Sequence, residues 1–301
     1  MHRLTQQLAA LLICAACIAH AAAQTDFTFA AYGDTPYTDE EEPRHIKLIA
    51  ELNREKLAFV IHVGDFKSGW APCTDALFMR RRDEFALMHH PLIYAPGDNE
   101  WTDCHRAFNA ARDPLERLQK LRSLFFTDSY SLGQRRITLA RQNAAFPEHA
   151  RWTHEGVVFA TLNIPGSGNN ARMPGEFAAR STAADAWIAS TFADARAQAH
   201  RTVVLVMHAN PWASGGVVGN NYAGVMAAIT RETVNFKGEV LLIHGDTHRY
   251  RVDQPLFDAQ KKQLVLNFTR IEVFGYPYMN WVRVRVSQRD GKTVFSASPG
   301  G

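Results

Sequence analysis

Polar side chains that can bind metal or contact a substrate follow six apolar runs of this 301-residue chain. An uninterrupted apolar run of about 4 to 8 residues is typical of a buried parallel strand. Because open α/β sheets bind ligands at the carboxyl ends of their strands, we expect the side chains that follow the runs to meet on one rim. Four of the runs end in a Gly-Asp pair, which turn chemistry alone does not explain. The polar residues are Asp34, Asp65, Asp98, Asn163, His208, Asp246 and His248.

The carboxylates and imidazoles of this rim suit hard or borderline divalent cations such as Mn, Mg, Fe or Zn. A central carboxylate can bridge two ions, and two ions about 3.5 to 4 Å apart can activate a water and neutralise a phosphoryl group. The set therefore predicts a phosphoester hydrolase with two divalent metal ions. The candidate ligands are Asp34, Asp65, Asp98, His208, Asp246 and His248.

Helical patterns separate the first three runs. Apolar residues at Ile46, Ile49 and Leu52 predict one helix, and the segment entered at Thr74, with that residue as N-cap, predicts a second. The resulting order is βαβαβ, which implies a parallel core sheet and an α/β fold.

The second half of the chain continues this alternation after an interruption. The segment from 104 to 151 is irregular and helical, which predicts an insertion over the rim. A loop rich in Gly and Asn begins at Gly166, and helical patterns precede the His208 and Asp246 strands. The tail alternates apolar and polar residues around an Arg-Asp-Gly turn, so we expect antiparallel strands to end a single domain over residues 24–301.

The first 23 residues have the pattern of a secretory signal peptide, with one arginine, an apolar stretch and small residues before Gln24. The apolar stretch is too short to span a bilayer, so no membrane association is expected after cleavage. Removing this leader leaves only Cys73 and Cys104, which predicts a disulfide in a periplasmic or secreted protein.

The charge pattern offers no nucleic-acid surface. The formal net charge is +3, and the two short basic runs are isolated or alternate with valine as the exposed face of a strand would. The phosphoester chemistry that the rim residues predict makes a small phosphorylated substrate the expected partner. Oligomeric state does not follow from these features.

The order and spacing of the rim residues resemble those of the calcineurin-like metallophosphoesterase family over nearly the whole mature chain. That family's motifs run Asp-x-His, Gly-Asp, Gly-Asn-His-Asp/Glu, a strand-end His and Gly-His-x-His. Here the corresponding sequences are DTP, GD, GDNE, VMHAN and GDTH. The resemblance implies a four-layer α/β/β/α sandwich with mixed sheets.

The resemblance also implies how the ligands divide between two metals. Asp34, Asp65 and His248 would bind one ion, and Asp65 would bridge to a second. The second would take Asp98, His208 and Asp246 as its further ligands, and a metal-activated water would be the nucleophile.

The first motif departs from the family because Pro36 stands in the position of its histidine. The purple acid phosphatase branch, which also lacks this histidine, compensates with a tyrosine at a position that is Ser68 here. Tyr37 could substitute as a ligand, although packing at the turn is the stronger expectation.

The third motif has Asn99 in the position of a histidine that assists catalysis in the family. Asparagine can donate a hydrogen bond to a phosphoryl oxygen but cannot be a general acid, so leaving groups that need no proton would be favoured. Asn99 and His208 are the expected catalytic residues, and His105 is an alternative acid whose simpler interpretation is a surface histidine.

Asp98 and Asp246 also replace an asparagine and a histidine of the family motifs, which adds negative charge beside the metals. Lys67 or Arg172 could restore a positive field for an anionic substrate. Together with Asn99, we expect Lys67 and Asn163 to contact substrate.

Three functions fit these residues. The first is a secreted metal-dependent phosphoesterase. The second is a catalytically degenerate phosphoesterase fold that binds metal or a phosphorylated ligand. The third, and the least favoured, is a metal-dependent hydrolase of non-phosphate esters.

Overall fold

The computed structural model describes residues 25–300, in two β-sheets flanked by helices. The signal peptide predicted at residues 1–23 lies outside the described residues. The helices are α1 (Glu42–Leu52), α2 (Asp75–Phe85), α3 (Pro114–Phe125), the short turn α4 (Gly166–Asn169), α5 (Pro174–Ala197) and α6 (Ala223–Val234). The strands are β1 (Asp26–Tyr32), β2 (Val60–His62), β3 (Leu92–Tyr94), β4 (Ala140–Arg141), β5 (Ala150–His154), β6 (Val157–Thr161), β7 (Thr202–Val206), β8 (Glu239–His244), β9 (Arg251–Asp253), β10 (Phe257–Asp258), β11 (Gln263–Leu264), β12 (Phe268–Glu272), β13 (Val282–Arg289) and β14 (Lys292–Pro299).

The first sheet has the order β14-β13-β1-β2-β3. Strands β1, β2 and β3 are parallel, as the βαβαβ pattern predicts, and Ala30, Val60 and Leu92 are aligned across them. Strands β13 and β14 form the predicted antiparallel hairpin around Gly291. The parallel register carries Asp34, Asp65 and Asp98 to one edge of the sheet.

The second sheet has the order β4-β5-β6-β7-β8-β12-β9, with β6, β7 and β8 parallel. The expectation of a wholly antiparallel tail is wrong for β12, which pairs in parallel with β8 and antiparallel with β9. Its alternation of polar and apolar residues suggested a half-exposed antiparallel strand. In the fold, polar residues of β12 such as Arg270 and Glu272 are buried in ion pairs instead.

The four layers follow from three apolar clusters. One lies between the two sheets and includes Phe29, Phe159 and Ile243. A second packs α1, α2 and α3 on the outer face of the first sheet, and a third packs α5 and α6 on the second sheet. The predicted four-layer α/β/β/α arrangement with mixed sheets is therefore confirmed.

Local signals fix several helix ends. The Thr74 hydroxyl accepts a hydrogen bond from the Leu77 amide at 3.2 Å, which is the expected N-cap of α2. Within the segment predicted as an insertion, α3 belongs to the outer helical layer through Leu118 and Leu121. The preceding turns at 102–109 lie at the rim. No helix in residues 25–300 is long and apolar enough to cross a membrane.

Candidate metal centre

All six predicted ligands lie together at the carboxyl ends of the central strands of both sheets. Asp34, Asp65 and His208 offer ligand atoms that lie within 4.8 Å of one another, and so do Asp98, His208 and Asp246. His248 adjoins the first group, because its Nε2 lies 3.4 Å from Asp34 Oδ1. We refer to these six side chains as the metal centre.

The backbone turns sharply where it presents these side chains. Asp34, Asp65, Asp246 and His248 have φ angles of +53°, +56°, +79° and +60°. The left-handed conformation costs roughly 1–2 kcal/mol for a residue with a Cβ atom. Four such residues at one rim indicate a site whose geometry is maintained at the expense of stability, as functional sites often are.

Glycines beside the aspartates make room for carboxylates from other strands. A Cβ atom on Gly97 would lie 2.0 Å from Asp65 Oδ1, and one on Gly245 would lie 2.1 Å from Asp34 Oδ2. The repeated Gly-Asp pairs therefore have a steric cause. The glycine of one pair receives the carboxylate of another.

Hydrogen bonds orient both imidazoles so that their Nε2 atoms could bind a metal. The Nδ1 atom of His208 donates to the Val63 carbonyl at 2.8 Å, and that of His248 donates to the Tyr276 carbonyl at 2.8 Å. In a neutral imidazole this leaves the Nε2 lone pair free. Both lone pairs then face the carboxylates, which is how proteins usually fix the tautomer of a ligating histidine.

The carboxylates are also held by donors from the protein. The Asp246 amide donates to Asp34, the Asn210 amide donates to Asp246 at 2.8 Å, and the Ser167 hydroxyl donates to Asp98 Oδ2 at 2.8 Å. Each bond leaves acceptor capacity free on the carboxylate. The remaining lone pairs are available to a cation.

The buried carboxylates of the metal centre need a proton or a cation to balance their negative charge. Burial and the neighbouring Asp98 raise the pKa of Asp246 to about 7, and burial also raises the pKa of Asp34. Burial opposes a charged His208, but the charge of Asp65 and other nearby carboxylates raises its pKa well above the ordinary value. Buried carboxylates at this density bind protons or metal cations in place of water.

One pair of atoms tests the fit of a metal directly. Asp98 Oδ1 and His208 Nε2 lie 3.0 Å apart, yet neither has a hydrogen-bond partner among residues 25–300. Two acceptors at this distance repel each other unless a cation or a proton lies between them. Ligands about 2.1 Å from a shared ion lie about 3 Å apart, so the pair fits a divalent metal.

The two groups share His208, whereas the resemblance implies that Asp65 is shared. A single Nε2 lone pair can bind only one ion, but the two oxygens of a carboxylate can bind two. Asp65 belongs to the first group, and its Oδ2 lies 3.5 Å from Nε2 of His208, the residue that both groups contain. Its position therefore remains compatible with the bridging role.

Tyr37 reaches the metal centre, contrary to the expectation that it mainly packs at the turn. Its hydroxyl donates to Asp65 Oδ2 at 3.0 Å, lies 3.3 Å from His248 Nε2 and accepts from Asn99 Nδ2 at 3.1 Å. A phenolic oxygen therefore lies beside Asp65 and His248, where Pro36 can supply no ligand atom. The sequence signal was present, since Tyr37 immediately follows that proline.

Glu100 is buried beneath the metal centre and holds the backbone that carries Asp65. Its carboxylate accepts from the amides of Asp65 and Gly97, at 3.1 and 2.7 Å, and from the Tyr94 hydroxyl at 2.7 Å. Burial and the charge of Asp65 raise its pKa to about 8. The carboxylate ties the ends of β2 and β3 together.

Asn99 lies in the cavity wall, but its donors are already used. The side-chain amide donates to the Tyr37 hydroxyl and to the Lys67 carbonyl, and the backbone amide donates to Asp65 Oδ1 at 2.9 Å. As placed, Asn99 positions Tyr37 and Asp65. It has no free N–H group to offer a phosphoryl oxygen.

Two expected substrate contacts lie inside the protein. Lys67 is 1% exposed and donates to the carbonyls of Ser68 and Asn99 at 2.8 and 2.7 Å. Asn163 is fully buried and donates to Glu148 at 2.9 Å. Neither side chain is therefore positioned to contact a substrate. The sequence could not show this, because a side chain at a strand end can turn inward as readily as toward the rim.

A cavity of about 690 Å³ opens over the metal centre. Arg106 is the only lysine or arginine side chain among its lining residues in the described chain. It forms an ion pair with Asp103 at 2.7 Å. His105 and Arg172 are both exposed and bonded to the Thr102 carbonyl, and neither is among the residues that line this cavity.

Glu272 is a supporting residue that sequence reasoning missed. It is fully buried at the end of β12, accepts from the Thr247 hydroxyl and from the Arg249 amide at 3.0 Å, and pairs with Arg251 at 2.8 Å. These contacts fix the loop that carries Asp246 and His248. Assigning β12 as a parallel strand would have placed Glu272 on the rim.

The predicted disulfide is present. Cys73 and Cys104 are bonded, with Cα atoms 5.7 Å apart. The bond joins the loop that follows Asp65 to the turn that follows Asn99. Two segments of the cavity wall are thereby connected covalently.

Comparisons with known proteins bear on the fold. No protein-family profile matches the sequence, and no curated protein matches it. The chain has the fold of PhoD, with a TM-score of 0.54 over 87% of this chain at 12% identity. It spans 64% of the PhoD chain.

Structures of Vps29 also match the chain, with lower TM-scores. Vps29 from Cryptosporidium parvum gives 0.35 at 12% identity over 92% of this chain and 98% of that chain. A Vps29 variant from Entamoeba histolytica gives 0.33 at 9% identity over 91% and 99%. Scores this low do not define a fold, so the assignment as a four-layer α/β/β/α sandwich rests on the likeness to PhoD and on the layers described above.

Proposed function

We propose that this chain is a secreted metal-dependent phosphoesterase of the calcineurin-like type, which hydrolyses a small phosphorylated substrate. The observation that carries the proposal is the convergence of four aspartates and two oriented histidines on the rim. Structural ion pairs do not account for this set, since no lysine or arginine forms a salt bridge to any of the four aspartates within residues 25–300.

We assign the first metal to Asp34, Asp65 and His248, with the Tyr37 hydroxyl beside them. Asp65 would also contact the second metal, together with its own ligands Asp98, His208 and Asp246. The oxygen-rich set favours Mn, Mg, Fe or Zn. Two such ions supply Lewis-acid stabilisation of the phosphoryl group and an activated water.

Neighbouring residues hold the proposed metal ligands in position. Glu100 and the Asn99 amide hold Asp65, while the Val63 and Tyr276 carbonyls hold the two imidazoles. Arg106, which lines the cavity, would compensate the charge of a bound phosphoryl group. Because Asn99 cannot give a proton to the leaving group, substrates with stable leaving anions are favoured.

Secretion is part of the proposal. It is supported by the leader pattern of residues 1–23 and by the disulfide, which persists in oxidising compartments. The test is to express the full chain in a bacterial host, fractionate the cells and sequence the N-terminus of the mature protein. A cytoplasmic protein that retains residues 1–23 contradicts this assignment.

Activity is tested with mature protein supplied with Mn²⁺ and assayed on p-nitrophenyl phosphate and bis-p-nitrophenyl phosphate. We expect hydrolysis of at least one of them, lost on chelation and restored by metal. Asp65→Asn is the inactive variant, and Asp290→Asn, in the distant β13-β14 turn, is the matched control.

Bound metal without turnover of either ester would favour the degenerate binding protein instead. Hydrolysis of p-nitrophenyl acetate that persists in excess phosphate would favour a non-phosphate esterase.

A further inference from the structure

An exposed tryptophan, Trp70, lines the cavity above the metal centre and stacks on a second exposed ring, Phe108. Trp70 is 73% exposed and Phe108 is 43% exposed, and their rings stack at a centroid distance of 4.3 Å with an interplanar angle of 26°. Phe108 covers one face of the indole. The opposite face is therefore the one that the solvent, or a ligand, contacts.

The backbone behind this pair is rigidly held. The Cys73–Cys104 disulfide joins the two segments that carry the rings. The fully buried Asn109 donates to the Gly69 carbonyl at 2.7 Å and to the Asp103 carbonyl at 3.0 Å. An exposed tryptophan on such a support differs from an isolated surface aromatic, which needs no explanation.

Trp70 lies next to the metal centre along the chain and in space. A Cβ atom on the preceding Gly69 would lie 2.8 Å from Asn99 Oδ1 and 3.3 Å from an Arg106 guanidinium nitrogen. Trp70, Arg106 and Asp65 line the same cavity. A ligand whose phosphate reaches the metal centre thus has an aromatic surface within the same cavity.

A second stacked aromatic pair borders the metal centre. Tyr276 is 41% exposed, lines the cavity and stacks on Tyr37 with a centroid distance of 5.7 Å and an interplanar angle of 16°. The Tyr37 hydroxyl points into the metal centre. Two aromatic pairs, each with at least one ring in the cavity lining, therefore border the space above the metal centre.

We infer that Trp70, backed by Phe108, is a stacking platform for a planar ring on the substrate, so that the phosphoester is an aryl or nucleoside phosphate and not an alkyl phosphate. This inference rests on the proposed function and specifies its substrate class. Stacking of a base on an aromatic side chain typically changes affinity by about five- to 150-fold.

The test uses phosphonates, whose C–P bond resists hydrolysis, so that binding is measured without turnover. Phenylphosphonate and cyclohexylphosphonate are matched in size and differ in planarity. Isothermal titration of mature protein in Mn²⁺ should show at least about fivefold tighter binding of the phenyl compound. The methylene phosphonate analogue of AMP distinguishes a nucleobase from a simple aryl ring, because only a nucleoside site binds it more tightly than phenylphosphonate.

Two variants assign the preference to the platform. Trp70→Leu should bring the phenyl-to-cyclohexyl affinity ratio close to one, whereas Trp70→Phe should retain part of it. Phe257→Leu removes another exposed aromatic ring that does not line this cavity, and it should keep the wild-type ratio.

The inference is overturned if wild-type protein binds the two phosphonates equally or binds neither, or if the preference survives Trp70→Leu. Hydrolysis of p-nitrophenyl esters is scored separately. Turnover without a planar preference rejects the platform alone, and a planar preference without turnover rejects only the catalytic proposal.

Discussion

Tyr37→Phe is the most informative single substitution at the metal centre. It removes one hydroxyl of the cavity wall, which contacts Asp65 at 3.0 Å, Asn99 at 3.1 Å and His248 at 3.3 Å. The phenyl ring keeps its stacking on Tyr276, so the turn should keep its shape. The perturbation is therefore confined to Asn99 and to two of the side chains that we assign to the first metal.

The expected magnitude follows from these three contacts. Asn99 keeps its bond to the Lys67 carbonyl, but Asp65 loses the only side-chain hydroxyl within residues 25–300 that donates to its Oδ2 atom. Loss of a group that ligates or orients a metal ligand typically lowers metal affinity about 10- to 100-fold. We expect this loss for the first ion, with little change for the second.

Isothermal titration with Mn²⁺, together with elemental analysis after dialysis, measures the affinity for each ion and the number of ions bound. Wild type should bind two ions per chain and Tyr37→Phe should retain one. Tyr276→Phe is the matched control, because its hydroxyl makes no hydrogen bond within residues 25–300 while its carbonyl still accepts from His248. Two ions bound with unchanged affinity in Tyr37→Phe would refute the assignment of the tyrosine to the metal centre.

Three further predictions concern the support of the site. Glu100→Gln replaces one of two acceptor oxygens that bind backbone amides and a tyrosine hydroxyl, so the free energy of unfolding should fall by about 1–3 kcal/mol in urea denaturation; unchanged stability would argue against this network. The pKa values of Asp246 and Glu100 are raised to about 7 and about 8, so folding favours their protonated forms and stability falls as pH rises from 5 to 8. The melting temperature of metal-free protein should fall over that range and Mn²⁺ should raise it more at pH 8 than at pH 5, whereas a metal-free Tm that rises with pH would contradict this. Replacing Cys73 and Cys104 with serine opens a loop of sequence separation 31 and should lower stability by about 4 kcal/mol on the chain-entropy model; a loss below about 1 kcal/mol would show that other contacts hold these segments.

Apolar patterning was sufficient to locate the metal centre. Uninterrupted apolar runs marked the central strands, and parallel pairing brought Asp34, Asp65 and Asp98 to one edge. The two cysteines that remain after the predicted leader indicated a disulfide, and Thr74 indicated an N-cap. Both the disulfide and the N-cap are confirmed. These features depend on residues close in sequence or on the common direction of parallel strands.

The orientation of individual side chains was harder to predict. Lys67 and Asn163 follow central strands, as the ligands do, but both are buried in hydrogen bonds within the protein. Tyr37 turns toward the centre through contacts with Asp65 and His248, which are distant in sequence. Glu272 was missed because buried ion pairs let β12, a strand with polar residues, lie in the parallel part of the sheet.

The central claim is that one rim holds two divalent ions bridged by Asp65 and uses them to hydrolyse a phosphoester. Elemental analysis and bis-p-nitrophenyl phosphate turnover, measured on the same samples of wild type and Asp65→Asn, test it most directly. We predict two metal ions per wild-type chain and the loss of both ions and of activity in the variant. Two ions retained by Asp65→Asn, or a wild-type chain that binds none, would contradict the claim.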